Sequence, residues 1–397
     1  MRKEYLVAKD IIVSIAKIGK RYSEQPKVGG LFVFEHYTNR KGELDYSKLD
    51  KIDGLWTRRE ILTRYLLLRA VLDQGPDIIG IELFTRKVLN HFYENEIRVL
   101  HKPICFFSEL GIGIDTILSG HASVKKLRAR KWAKENQIKN YDKYNLFTDN
   151  AHQVLGYAVY RWGVPLCVPL LLEKDNNKAG KNTTSPLVDY LESFDSAEEM
   201  SQQIKDNIRY GLGKSIGDKA AHLFAKWYID IYKINKRKDL SWSDLSYELP
   251  IDSNVGRVLF RTGFLLKFAD LKKYKKWDII QYQMGKFNTN YIRATNIRYR
   301  KTDMFSKDKE VLDIYNDISV NYLKQSKRRI TKVNIHQMPN AMLKDTGYSI
   351  GDLDNGLMYI GGNFCKNIQH PRCLGCPIKT KCHGFKKDKK LIKNYLT

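Results

Sequence analysis

The sequence predicts a mainly α, in effect all-α, fold, and three observations carry that expectation. Apolar residues recur at helical spacing through several long stretches, strand-like alternation is sparse, and no internal repeat stands out. The first stretch covers residues 57–71, TRREILTRYLLLRAV. It places Ile61, Leu62, Tyr65, Leu66 and Leu68 on a broad apolar face, with Arg58 and Arg59 opposite. A second covers 77–94, set off from the first by the DQGP turn, Asp73 to Pro76. Residues 123–139, SVKKLRARKWAKENQIK, read as a strongly basic helix around Trp132, either a solvated face or a contact for a nucleic-acid backbone. The polar stretch EKDNNKAGKNTTSP, 173–186, reads as flexible. A further helix is expected from about Ser196, whose hydroxyl pairs with Glu199 in a capping box.

The 397 residues suffice for two or three compact units, and 43% hydrophobic content marks a folded chain. Mean hydropathy is −0.47, and no apolar run has membrane length, so no spanning helix and no membrane partner is expected. At the N-terminus, Lys9 and Asp10 fall where a signal peptide needs its apolar centre, which points to the cytoplasm. Lys and Arg number 69 against 44 acidic residues, a net charge of +25 that favours an anionic partner. With 24 tyrosines and 6 tryptophans to stack on bases, nucleic acid is the better match than a lipid surface.

Cys105 and Cys167 are isolated in apolar surroundings and read as buried core thiols. The other four cysteines follow the pattern Cys365-x7-Cys373-x2-Cys376-x5-Cys382, with Pro371 and Gly375 bending the chain between them. Four thiolates in one short loop can converge on a metal centre. Zinc commonly uses two separate CxxC knuckles, whereas here a single CxxC is flanked by outer cysteines at unequal distances. Such a loop suits an iron–sulfur cluster, with zinc as the alternative occupant.

The stretch MYIGGNFCKNIQHPRCLGCPIKTKCHGF, 358–385, resembles the cluster loop that closes endonuclease III and the adenine mismatch glycosylases, members of the helix-hairpin-helix DNA glycosylase superfamily. The first gap, Cys365 to Cys373, is one residue longer than is usual there. Two further motifs match in the family's order. GLGKSIGDKAAHL, 211–223, is similar to its hairpin, with Ser215 at the place of the first glycine and Lys219 at the place of the catalytic lysine. LPIDSNVGRVLFRTGFL, 249–265, resembles the segment with the essential aspartate, which puts Asp252 in that role, Asn254 beside it, and Arg257 and Arg261 on the following helix. For an isolated IDSN the plain reading of Asp252 is a helix N-cap. A weaker match, LLRAVLDQGPDIIG at 67–80, places Gln74 where the family probes the DNA stack. The GKS at 213–215 is not a P-loop, because Ile208 stands where that motif needs glycine.

The resemblance implies a two-lobed helix-hairpin-helix glycosylase fold with large insertions and a C-terminal [4Fe-4S] loop. The implied organisation is an N-terminal extension (1–56), a helical lobe with insertions (57–190), the hairpin and aspartate region (191–282), a basic insertion (283–340) and the C-terminal helix, cluster loop and lysine-rich tail (341–397). Cys365, Cys373, Cys376 and Cys382 would hold the cluster. Gln74, Gly213, Lys214, Gly217, Asn254, Arg257, Arg372, Lys379 and Lys381 would contact double-stranded DNA containing a damaged or modified base. Asp252 would stabilise positive charge on the sugar as the base leaves, after the base has been flipped from the stack. Lys219 would either form a Schiff base, giving lyase activity, or contact a phosphate. A monomer is expected.

The insertions, including 32 residues between Lys219 and Asp252 and 112 between Asp252 and Cys365, are similar to a divergent branch, the α-glutamyl/putrescinyl thymine pyrophosphorylase-like proteins. That branch is associated with phage DNA hypermodification, and its glycosylase-like relatives, thought to act against phages with modified bases, imply excision in antiphage defence. It leaves two alternatives to excision open: a base-modifying transferase and a non-catalytic DNA-binding protein.

Overall fold

A computed structural model describes residues 3–22, 26–73, 78–109, 113, 115, 151–264, 294–295, 330–365 and 372–386. The helices, in chain order, are α1 (Lys3–Gly19), α2 (Arg58–Leu72), α3 (Ile78–Glu94), α4 (Pro103–Glu109), α5 (Ala151–Lys178), α6 (Pro186–Glu192), α7 (Ala197–Asp206), α8 (Asp218–Tyr232), α9 (Ser253–Thr262), α10 (Lys332–Leu343), α11 (Ile350–Asn363) and α12 (His383–Lys386). Among the described residues the strands are two residues long each, β1 (Ile52–Asp53) with β2 (Trp56–Thr57), antiparallel, and β3 (Ala294–Thr295) with β4 (Ile330–Thr331), parallel. The mainly helical expectation therefore holds. No helix among the described residues is long and apolar enough to cross a membrane.

The chain divides into two compact units. One comprises residues 1–24, 195–199 and 229–397, the other 25–194 and 200–228. In the second unit α2 is the centre. Thr57 caps it through a bond from the Glu60 N–H, and every residue from Glu60 to Leu72 is buried. The amphipathic face read from the sequence becomes burial on all sides, because β2, α3, α5 and α6 all pack against this helix. Two of its buried polar residues, Glu60 and Arg64, are consequently paired with each other. The buried carboxylate of Glu60 takes the Arg64 Nε at 2.8 Å and, through its other oxygen, the N–H groups of Leu187 and Val188 at the start of α6. Arg64 also reaches Glu173 at 2.8 Å and stacks over Trp56.

That last bond corrects one expectation. Residues 173–178 of the polar stretch are not a flexible segment but the final turns of α5. Glu173 pairs with Arg64, and Asp175 accepts from Arg209 and Tyr210, so these two carboxylates tie the helix end to the fold. Farther on, the Thr184 carbonyl accepts from the Thr57 N–H. The expected helix after Ser196 is present: the Ser196 hydroxyl accepts from the Glu199 N–H at 3.1 Å, while the Glu199 carboxylate turns back to the N–H of Asp195. Cys167 is buried as expected, whereas Cys105 is only half-buried at the start of short α4. The basic stretch 123–139 lies outside the described residues.

In the first unit α1 lies against α11, and the approach is close because it is made at glycines. A Cβ on Gly356 would meet the Ile15 carbonyl oxygen at 2.2 Å. α11 begins in a complete capping box between Ser349 and Asp352. Its other side receives α9, where Gly361 sits against Asn254 and Val258.

Candidate active site and cysteine pocket

Asp252 opens α9, and its position is set from two directions. Ahead of it, residues 245–249 are held by α10: the Asn340 amide donates to the carbonyls of Leu245 and Tyr247, and His336 and Leu249 exchange bonds of 2.7 and 3.1 Å. The buried Glu198 accepts from the Ser246 hydroxyl at 2.5 Å and the Tyr247 N–H at 3.0 Å. Behind it, Asp252 Oδ1 accepts from the N–H groups of Asn254 and Val255, each at 2.8 Å. Asp252 is thus an N-cap, as the plain reading of IDSN expects. Both cap bonds use one oxygen, and among the described residues Oδ2 makes no hydrogen bond.

One turn on, α9 turns its cations toward the cysteine loop. Arg257, buried, donates from Nε to the Cys365 carbonyl at 2.6 Å and from Nη2 to the Asn254 side chain. Arg261, also buried, places Nη1 3.1 Å from Cys365 Sγ. The loop itself is a run of tight turns: Cys376 N–H bonds the Cys373 carbonyl, and Cys382 N–H bonds the Ile378 carbonyl. Cys365, Cys373, Cys376 and Cys382 line one pocket with Arg261, Val258, Ile360, Phe364 and Ile378, enclosing roughly 460 Å³ including its open mouth. Burial pushes the Cys376 thiol up to about 11 and that of Cys382 up to about 12, and raises Cys373 as well. A ligand binding there as thiolate-bound metal must displace those protons. Among the described residues no three His, Cys, Asp or Glu side chains are grouped so as to hold a metal ion.

The basic residues expected at the DNA have definite places. Arg372 is exposed. Lys379 donates to the Leu374 carbonyl at 2.6 Å, holding the loop's own backbone. Lys381 reaches α1, bonding Asp10 at 2.6 Å and Ser14 at 2.8 Å. Asn254 and Arg257 bond each other within the first unit.

The segment matched to the hairpin lies in the chain between α7 and α8 and contains the 3-10 turn Gly213–Ser215. Gly213 has φ +54°, the left-handed region that glycine enters without strain, and Gly213 and Gly217 are exposed while Ser215 and Ile216 are buried. Gly211 stands against the Asn207 backbone, where a Cβ would come within 2.4 Å of its carbonyl oxygen. The backbone of Lys214 lies in the 3-10 turn Gly213–Ser215. At the start of α8, Asp218 supplies a carboxylate that suits a helix N-terminus and pairs with Lys205 at 2.7 Å. Lys219 donates to Asp73, at 3.1 Å to its carbonyl oxygen and 3.1 Å to Oδ2. Gln74 lies outside the described residues.

Three participants escaped the sequence reading. Asp73 sat in plain view as the first residue of the DQGP turn. Glu198 and Asn340 carry no local signal, since their partners are 49 and 93 residues away. Compared with known proteins, the chain matches no protein-family model, no curated protein and no solved structure.

Proposed function

We propose that this chain is a DNA glycosylase that flips a damaged or modified base from duplex DNA and hydrolyses its bond to the sugar, leaving an abasic site. The observation that carries the proposal is the junction made by α9. Two motifs 112 residues apart in the chain, the aspartate and the cysteine loop, meet along one helix whose first residue follows Asp252 and whose last turn lines the cysteine pocket.

In this reading Asp252 serves through Oδ2. The cap bonds to Oδ1 fix the carboxylate's orientation, so the second oxygen can face the anomeric carbon and stabilise the charge that develops as the base departs. A base must be extruded for that approach, since the reacting bond is shielded within the stack. Net positive charge supplies affinity for the backbone without reading sequence.

The pocket's donor set is all sulfur, which suits an iron–sulfur cluster or zinc over hard cations. A zinc ion would draw its thiolates to about 2.3 Å from one point. A [4Fe-4S] cluster would spread its four thiolates around a wider core, and the single CxxC flanked by cysteines at unequal distances favours it. When bound it supplies structure, tying Cys365, and through it Arg257 and Arg261, into one fixed loop.

The test uses duplex DNA with normal, hydroxymethylated or glucosylated bases, incubated with the protein and then heated in alkali. Strand breaks at modified positions that vanish in Asp252→Asn support excision. A mass gain on a base points to the transferase alternative, and no covalent change on any substrate sinks both enzyme readings.

A further inference from the structure

We infer that Asp73 is a positioning residue that holds Lys219 in an ion pair and keeps it from acting as a nucleophile, so that this enzyme releases bases without a lysine Schiff base. The inference rests on the glycosylase reading, because the aldehyde such a lysine would attack is the product of that reaction. Two bonds of 3.1 Å run from Lys219 Nζ to the same residue, one to the Asp73 carbonyl and one to its carboxylate. Asp73 is itself fixed. It closes α2 through its N–H, bonded to the Arg69 carbonyl at 2.9 Å, and is only 5% exposed. Its second carboxylate oxygen, Oδ1, is buried and has no hydrogen-bond partner among the described residues. A carboxylate taken out of water in this way depends on the cation it touches, and that cation is Lys219.

The chemistry that Asp73 suppresses can be written out. In a Schiff base the lysine nitrogen uses its lone pair to bond the aldehyde carbon of an abasic site. The carbonyl oxygen leaves as water, and an iminium remains that borohydride reduces to a stable secondary amine. A lysine nitrogen engaged in two bonds to Asp73 has to leave them before it can reach an aldehyde. Lys219 is 27% exposed at its side chain, so the ion pair, not burial, is what restrains it.

Borohydride trapping on duplex DNA with a preformed abasic site reads this directly. The wild-type chain should trap weakly, Asp73→Asn should trap at least tenfold more, and Asp73→Glu, which keeps the charge, should stay near wild type. The gain should disappear in Asp73→Asn/Lys219→Ala. Equal trapping by wild type and Asp73→Asn, or none by either, overturns the inference. If Asp73→Asn does not fold, amine acetylation of the wild-type protein read by peptide mass spectrometry decides: Lys219 should react several-fold more slowly than lysines of similar exposure, and equal reactivity overturns the proposal. Base release is measured separately on modified duplex, so its absence would sink the glycosylase reading and leave the lysine result standing.

Discussion

The Arg261 guanidinium lies 3.1 Å from Sγ of Cys365 and 3.3 Å from the same residue's carbonyl oxygen. A cation at this distance would offset the negative charge that four thiolates gather around a bound metal. It also ties α9 to the loop that follows α11. Replacing Arg261 by Leu should lower the iron and acid-labile sulfide retained on purification several-fold, while Arg261→Lys keeps an intermediate amount. Metal and sulfide analysis of the two proteins checks this. A colourless wild-type protein carrying one zinc would remove the cluster from the proposal.

Asp252 combines a cap with a proposed catalytic role, and two substitutions separate them. Asparagine caps a helix about as well as aspartate. Asp252→Asn should therefore leave the melting temperature nearly unchanged while base release falls by on the order of 10²-fold or more. Asp252→Ala loses the cap as well and should cost about 1 kcal/mol of stability. Equal activity in wild type and Asp252→Asn, measured by single-turnover base release, would leave Asp252 as a cap only.

The contact of α1 with α11 gives a stability prediction independent of function. In Gly356→Ala the new methyl would meet the Ile15 carbonyl oxygen at 2.2 Å, against backbone that cannot swing aside. Alanine gains about 1 kcal/mol in helix propensity, but overpacking costs about 1–3 kcal/mol, and a clash this short lies at the upper end. Net destabilisation should appear in thermal unfolding followed by circular dichroism.

Within the second unit, Glu60 carries both an ion pair and the N-terminus of α6. Its side chain and that of Arg64 are 0% and 1% exposed. Glu60→Ala leaves Arg64 with a weaker complement and two N–H groups unbonded, and should cost about 3–5 kcal/mol. Denaturant titration would report this as a lowered midpoint, and an unchanged midpoint would show that the network contributes nothing net.

His101 and Asp53 predict acid sensitivity. Burial pushes His101 below its ordinary range, only partly opposed by Asp53, whose Oδ2 is 3.3 Å away. Burial also pushes the Asp53 carboxyl up, but the Tyr37 hydroxyl at 2.7 Å and His101 outweigh it and hold the group below its usual value. For both groups the folded state takes up a proton less readily than the unfolded one. Their stabilisation is present above the unfolded values and is lost as pH falls through the folded ones. For His101 the loss begins below about pH 6.5, and for Asp53 below about pH 3.9. His101→Gln should flatten the melting temperature between about pH 6.5 and 5, and an unchanged slope there would count against this account.

The helices α2, α3, α7 and the capped start of α9 were legible because their signals are local: an apolar period, a Thr57 or Ser196 hydroxyl, an aspartate before a helix. The cysteine loop was legible for the same reason, as four thiols within eighteen residues. The polar stretch at 173–186 misled for the converse reason. Its acidic residues are satisfied by Arg64 and Arg209, which lie 109 and 34 positions away, and nothing nearby announces them.

By itself, then, the sequence determined the helical class, the run of four cysteines and the candidate aspartate, since each depends on residue type and short spacing. Only the tertiary structure decided that α9 carries Asp252 at one end and the cysteine pocket at the other, and that Asp73 holds Lys219. Those relations are made by packing and hydrogen bonds between distant segments, where the geometry of the fold, not the order of residues, sets which charges meet.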